Sequence, residues 1–429
     1  MQFLIRSARI VDPQSSFNGL VCDIIVENGI IRQIGTNLDA EEGKTRIIEE
    51  ANVHVSPGWV DLRVSAKDPG YEHKEDLTSV CQAAAAGGFT DIAVLPNTKP
   101  VVDSKDTLGY LRRMAEGQPV AVHPIAAVTR QTEGEDLTEM IDLHHAGAVA
   151  FSDGEHPLQN PDLLLKTLQY LQPFDGLLMN RPEEAMLTRF GQMHEGIQST
   201  LLGLKGLPAL AEELMIERDL RLLEYVYLQK DLPATTVLHF STLSSARSVE
   251  LIRQAKQQGL PVSCDVAAHQ LVFDDSALAG FDTNLKVNPP FRSRADVDAL
   301  WQGLADGTID AIVSDHNPHD EECKNLEFDV ADFGITGLET VFAVVVSHNQ
   351  GLSLEQLVDK LAIRPRQILR LPLVSIAEGQ AASLTLFDPG RNWTFEGTLS
   401  KSKNTPFLGQ TFTGWVAGIL HQGQYYTHT

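Results

Sequence analysis

The stretch LTSVCQAAAAGGFTDIAVLPNTKP, residues 77–100, decides how the rest of the chain is read. Its first half has the composition and apolar spacing of a helix and stops at Gly87-Gly88, where glycine suits a tight turn. DIAVLP, at 91–96, then reads as a short buried strand, and the polar Asn97 stands at its end. Helix, break, strand and polar residue make one unit, and the same unit recurs along the chain.

Eight short apolar runs share this strand-like character, namely VHVSPGWVDL, DIAVLP, AVHPIAAV, AVAFSD, GLLMN, TTVLHFST, PVSCDV and DAIVSD. Helical patterns separate most of them, among them LPALAEELMIERDLRLLEYVYLQ, SARSVELIRQAKQQG and SRADVDALWQGLADG. Buried strands alternating with helices imply a parallel sheet with helical crossovers, and eight units predict a closed (β/α)₈ TIM barrel. An open doubly wound sheet is the alternative, but no GxGxxG turn follows the first strand.

The two ends read differently. Residues 1–52 are short alternating strands, with Asn28-Gly29 as a hairpin turn, and AASLTLFDPG and GWVAGILHQGQYY near the other end return to that alternation. The expected organisation is α/β: a barrel over 53–370, with a small β-sandwich domain built from 1–52 and 371–429. No internal repeat or low-complexity segment competes with it.

The chain has 429 residues and a formal net charge of -23, which argues against nucleic-acid partners and against a basic membrane-surface patch. Cys22, Cys81, Cys264 and Cys323 are scattered, with no close-spaced zinc pattern, and read as reduced thiols. No run is long and apolar enough to cross a bilayer, and MQFLIRSARIVDP reads as a strand rather than a secretion signal. The expectation is a cytoplasmic protein.

In a barrel, chemistry sits where the strands end. Polar residues stand there: Asp61 and Arg63 after the first strand, Asn97 after the second, Asp153 after the fourth and Asn180 after the fifth. His239 follows the sixth, and Asp315 with His316 the eighth. Asp61, Arg63 and Ser65 alternate in PGWVDLRVSAKDPG and therefore point the same way off an extended chain.

Five groups of segments, in this order and spacing, give the chain a family resemblance. They are EHKEDL with AAAAGGFTDIAVLPNTKP, FDTNLKVNPPFRS, DGTIDAIVSDHNPH, FGITGLET and SKSKNTPFLG. The sequence resembles the dihydroorotases, cyclic amidohydrolases of pyrimidine synthesis, in their long bacterial form, and the likeness runs from end to end.

That resemblance implies one or two zinc ions at the barrel mouth, which lower the pKa of a bound water and polarise the scissile amide, with a carboxylate moving the proton. Carried onto this chain, Asp153 matches the bridging aspartate, His239 the histidine after the sixth strand, and Asp315 the catalytic carboxylate. Arg63 and Ser65 stand where the first histidine pair is expected, and Asn180 where the histidine after the fifth strand is expected. A guanidinium has no lone pair to give a cation. Asn97, Asn288 and His319 match substrate-holding positions, and Lys67 replaces an arginine there, keeping charge but losing two-pronged hydrogen bonding.

Three readings follow. The first is a catalytically silent dihydroorotase-like chain that needs no cofactor and acts as a structural partner of aspartate carbamoyltransferase, the role the resemblance implies for such chains. In it, Arg63 lies between Asp153 and Asp315 as an internal cation. The second is an active cyclic amidohydrolase with one weakly held zinc on His239, Asp153 and Asp315. The third is a sensor whose pocket binds a pyrimidine-pathway molecule without converting it. A homodimer or a hetero-oligomer is expected from the resemblance. His269 after the seventh strand, and the pair His144-His145, read as structural and solvent-facing respectively.

Overall fold

The computed structural model describes residues 2–40, 43–228 and 233–427, so Gln229, at the end of the longest helical run, lies outside the described residues. Its centre is a near-closed parallel barrel. The eight strands are Trp59–Val64, Phe89–Val94, Ala121–Ala126, Ala150–Phe151, Leu178–Asn180, Leu238–Phe240, Val262–Ala267 and Ala311–Val313, paired in sequence order. Each overlaps one of the eight apolar runs.

The first and last strands meet through a parallel bridge between Val64 and His316 and a 2.9 Å bond from the Ser65 N–H to the His316 carbonyl. Asp61 adds to this seam. One of its carboxylate oxygens accepts from the N–H of Ser314 and the other from that of Arg63, each at 2.9 Å, and burial pushes its pKa up to about 6 against those bonds.

Local chemistry explains the unit at residues 77–100. Asp76 caps the helix Leu77–Ala86 by accepting from the Ser79 N–H, and the Ser79 hydroxyl answers the Asp76 N–H. Leu77, Val80, Cys81, Ala83 and Ala84 are buried and share one apolar cluster with Phe89, Ile92 and Val94 of the next strand. Gly88 turns the chain between them at φ 93, and a Cβ there would meet the Trp59 ring at 2.7 Å.

Strands from both ends form a second eight-stranded sheet: Gln2–Ile10, Val21–Glu27, Ile30–Gly35, Thr45–Ile48, His54–Pro57, Leu384–Thr394, Thr411–His421 and Gln424–Thr427. The Asn28-Gly29 turn takes positive φ at both residues, as its hairpin requires. VHVSPGWVDL, read as one strand, serves two sheets. His54–Pro57 pairs antiparallel with 384–387, and the barrel strand begins after Gly58 at Trp59. Trp59, with no exposed surface, packs against Phe89, Phe342 and Phe387 at ring distances of 6.2, 5.0 and 5.6 Å, and so locks the barrel to the terminal sheet. Replacing it with alanine would cost about 3–5 kcal/mol.

Candidate functional site

Side chains from the strand ends gather at one mouth of the barrel. Arg63, on the first strand and 4% exposed, donates from Nε to Asp315 Oδ1 at 2.7 Å. Burial works against its charge, but Asp315, Asp265 and Glu155 outweigh that, so its pKa lies above the usual arginine value. Arg63 does not lie between Asp153 and Asp315, as the sequence reading expected. Asp153 turns away. Its Oδ1 accepts the N–H groups of Val128 and Thr129, each at 2.9 Å, and its Oδ2 accepts the Thr129 hydroxyl at 2.5 Å.

A second carboxylate that faces the cations, beside Asp315, is Glu155, which the sequence reading missed. The Ser65 hydroxyl lies 3.3 Å and the Lys67 ammonium 3.4 Å from its Oε1. Lys67 foremost, with Arg63, His319 and Arg181, holds its pKa down at about 2 despite burial. Its position two residues after Asp153 was the available signal, since AFSDGEH carries a second acid beyond the strand end.

Asn97 holds this loop in place. Its side chain accepts the Glu155 N–H at 2.9 Å and donates to the Asp153 carbonyl at 3.0 Å. Gly154 between them has φ +65, and a Cβ there would sit 1.8 Å from the Asn97 oxygen. Asn97 thus spends both ends of its amide on backbone, although it lines the adjacent pocket.

His239 is fully buried, with Nδ1 2.7 Å from Ser263 Oγ and Nε2 2.8 Å from Asp265 Oδ2. Asp265, on the seventh strand, is the second acid the sequence reading missed, and its other oxygen is buried without a hydrogen-bond partner. Asn180 is also turned to structural work, accepting the Leu158 N–H at 3.2 Å and donating to Asp219 at 2.7 Å. Asn288 donates to Glu183 at 3.1 Å, and Glu183 pairs with Arg181 at 2.9 Å. His269 is buried edge-on to Phe291, and His144 and His145 are exposed, as expected.

A cavity of about 340 Å³ opens above these residues, and Arg63, Glu155, Arg181, Asn288, Asp315 and His319 are among those lining it. The site holds buried cations against carboxylates within one recess.

Comparison with known proteins fits this architecture. A family described as Dihydro-orotase-like matches residues 53–226, and one described as Amidohydrolase family matches 219–425. A dihydroorotase of Syntrophus aciditrophicus is 40% identical over 429 residues, covering 99% of each chain, and one of Geobacter metallireducens is 41% identical over 430 residues with the same coverage. The chain belongs to the dihydroorotase family. Among solved structures, the L-hydantoinase (dihydropyrimidinase) of Arthrobacter aurescens superimposes with a TM-score of 0.85 at 23% identity, covering 99% of this chain and 96% of that one, which bears on the fold alone.

The zinc implied for a dihydroorotase can be tested against the donors present. Arg63, Ser65 and Asn180, where the resemblance implies histidines, offer a guanidinium, a hydroxyl and an amide, and His239 and Asp153 have every donor atom engaged by protein. Among the described residues, Asp153, His239 and Asp315 do not bring their donor atoms together; His319, Cys323 and Asp332 do, within 4.8 Å of one another. In that group the Lys74 ammonium lies 3.1 Å from His319 Nδ1 and 3.5 Å from Asp332 Oδ2. These residues do not fit a binuclear zinc centre, and neither does the three-ligand set His239, Asp153 and Asp315 fit a single ion.

Proposed function

We propose that this dihydroorotase-family chain is catalytically silent and serves as a structural and assembly partner of aspartate carbamoyltransferase. The observation that carries this reading is the pair made by the buried Arg63 with Asp315 at 2.7 Å. It puts a permanent cation against the carboxylate that would otherwise move the proton, at a position where the family implies metal ligands. Retention of FDTNLKVNPPFRS and SKSKNTPFLG around a remodelled mouth supports selection for the scaffold and its surface.

The test has two arms on one purified sample. Size-exclusion chromatography with light scattering is expected to show a defined complex when aspartate carbamoyltransferase is added. Cyclisation of carbamoyl aspartate by the chain alone is expected to stay at background, whereas zinc-dependent turnover would support the one-zinc hydrolase instead.

A second reading, a sensor of a pyrimidine-pathway acid, has its own observation. Asn317 Oδ1 and His319 Nε2 belong to residues lining the 340 Å³ cavity and are buried without hydrogen-bond partners. Unsatisfied polar atoms around one recess suit a small polar ligand. Titration with dihydroorotate checks it: a saturating thermal shift without product supports the sensor, and no heat and no shift at millimolar ligand removes it.

A further inference from the structure

Three unlike donor atoms converge beside the cavity that His319 and Asp332 line. His319 Nδ1, Cys323 Sγ and an Asp332 carboxylate oxygen all lie within 4.8 Å of one another, and His319 Nδ1 is 3.2 Å from Asp332 Oδ2. Of the four cysteines, Cys323 alone is not buried. His319 precedes it by four residues, a pairing that the spacing of the cysteines alone does not show. Main-chain contacts hold the three in place. Asp320 caps the helical turn Glu321–Lys324 and accepts the Cys323 N–H at 3.1 Å, and the His319 N–H donates to Asn404 at 3.0 Å. The Asp332 N–H donates to the Cys323 carbonyl at 3.1 Å, and the buried Lys324 ammonium donates to the Asp332 carbonyl at 2.7 Å.

A positive charge already sits among these donors. The Lys74 ammonium lies 3.1 Å from His319 Nδ1 and 3.5 Å from Asp332 Oδ2, and it donates to the Cys323 sulfur. Imidazole, thiolate and carboxylate are also the ligands zinc takes, and three of them with an open fourth position make a known zinc pattern. Tetrahedral bonds of about 2.0–2.3 Å set ligand atoms roughly 3.3–3.6 Å apart. The His319–Asp332 spacing therefore fits as it stands, and Cys323 has to come in by only about 1 Å. We propose that His319, Cys323 and Asp332 form a reversible mononuclear zinc site, in which Lys74 is the resident cation until the ion displaces it. Binding forms the zinc–sulfur bond and releases the Cys323 thiol proton to solvent. Lys74 follows the exposed residues Tyr71, Glu72 and His73, and its stem carries the ammonium outward. Zinc on Nδ1 leaves the ring proton on Nε2, which is buried without a hydrogen-bond partner, so the ion fixes a ring that borders the cavity. The competing lysine keeps the site weak enough for dialysis to empty it. The site uses none of Asp153, His239 and Asp315 and does not depend on whether the barrel is silent.

Cobalt(II) titration of the full-length, metal-free chain tests this, because a cobalt–thiolate bond gives a charge-transfer absorption. The wild-type chain is expected to develop that absorption at one cobalt per chain and to lose it when zinc is added. Cys323→Ser is expected to abolish the absorption and weaken zinc binding by about 100-fold or more, since losing a direct ligand costs at least as much as losing a supporting one. Lys74→Met is expected to tighten zinc binding by about tenfold or more, because the donors no longer spend most of their time on the ammonium. That gain of binding does not arise from misfolding, and unchanged metal-free thermal melts check the other variant. The proposal is overturned if the wild-type chain shows no thiolate absorption at millimolar cobalt, if the absorption survives Cys323→Ser, or if Lys74→Met leaves the zinc affinity unchanged.

Discussion

Arg63 Nε and Asp315 Oδ1 lie 2.7 Å apart, joining the end of the first barrel strand to the residue two past the last. The bond does two things. It closes the polar mouth of the barrel across the seam where the sheet ends meet, and it commits both residues to each other. The seam below it is laced by Asp61, so the ion pair stands at the top of a continuous set of contacts between first and last strands.

Removing Asp315 leaves the buried Arg63 guanidinium without its hydrogen-bonded partner. Asp315→Asn is expected to cost about 3–5 kcal/mol in urea unfolding, and Asp315→Asn with Arg63→Met to cost less than the single change. A double variant as unstable as the sum of the two singles would show that the pair is not coupled.

Glu155 gives a pH signature. Its pKa in the folded chain is depressed to about 2 by Lys67, Arg63, His319 and Arg181, below its unfolded value. The stability it contributes is present above the ordinary glutamate pKa and is lost as pH falls toward the folded value. The stability difference between wild type and Glu155→Gln is therefore expected to be constant above about pH 5 and to shrink below it. A difference that grows on acidification would contradict the charge arrangement at the mouth.

His269 titrates in the same direction for a different reason. Burial lowers its pKa to about 4, with Asp315 opposing, so the folded chain keeps it neutral where the unfolded chain protonates it. Its contribution is present above about pH 6.5 and lost as pH falls toward 4. Imidazole NMR shifts checked between pH 7 and 4 are expected to stay those of the neutral ring until the lower end, and a midpoint near 6.5 would place the ring in water.

Much of this was legible in the sequence, and the reasons are local. The eight apolar runs are barrel strands because each is short, continuous and flanked by helical periodicity, a pattern that survives without tertiary information. Arg63, Ser65 and Asn180 could be placed at the barrel mouth because they sit at defined places at the ends of their strands. The partners of the retained residues were not legible. Whether Asp153 faces Arg63 or the Thr129 hydroxyl is decided by χ angles and by the turn at Gly154, and strand order leaves both open. Asp265 was passed over for the same reason, since its pairing with His239 crosses between adjacent strands. VHVSPGWVDL showed one apolar run where the chain changes sheets, because both sheets bury it equally.

Placing histidines where the resemblance implies them tests whether the mouth can hold zinc. Arg63→His, Ser65→His and Asn180→His together are expected to recover zinc binding, read by elemental analysis after dialysis, with little or no carbamoyl aspartate cyclisation. Activity is expected to lag because Asp153 and His239 stay held by Thr129 and Asp265, and supporting bonds of this kind set how a ligand is presented. A triple variant that takes up no zinc would contradict this expectation.

The most direct test of the silent-barrel reading is zinc content and carbamoyl aspartate cyclisation measured on the same preparation of the wild-type chain. Substoichiometric zinc with turnover at background, unchanged after zinc is added, is the expected result. Stoichiometric zinc whose removal abolishes a measurable turnover, and whose return restores it, would contradict it.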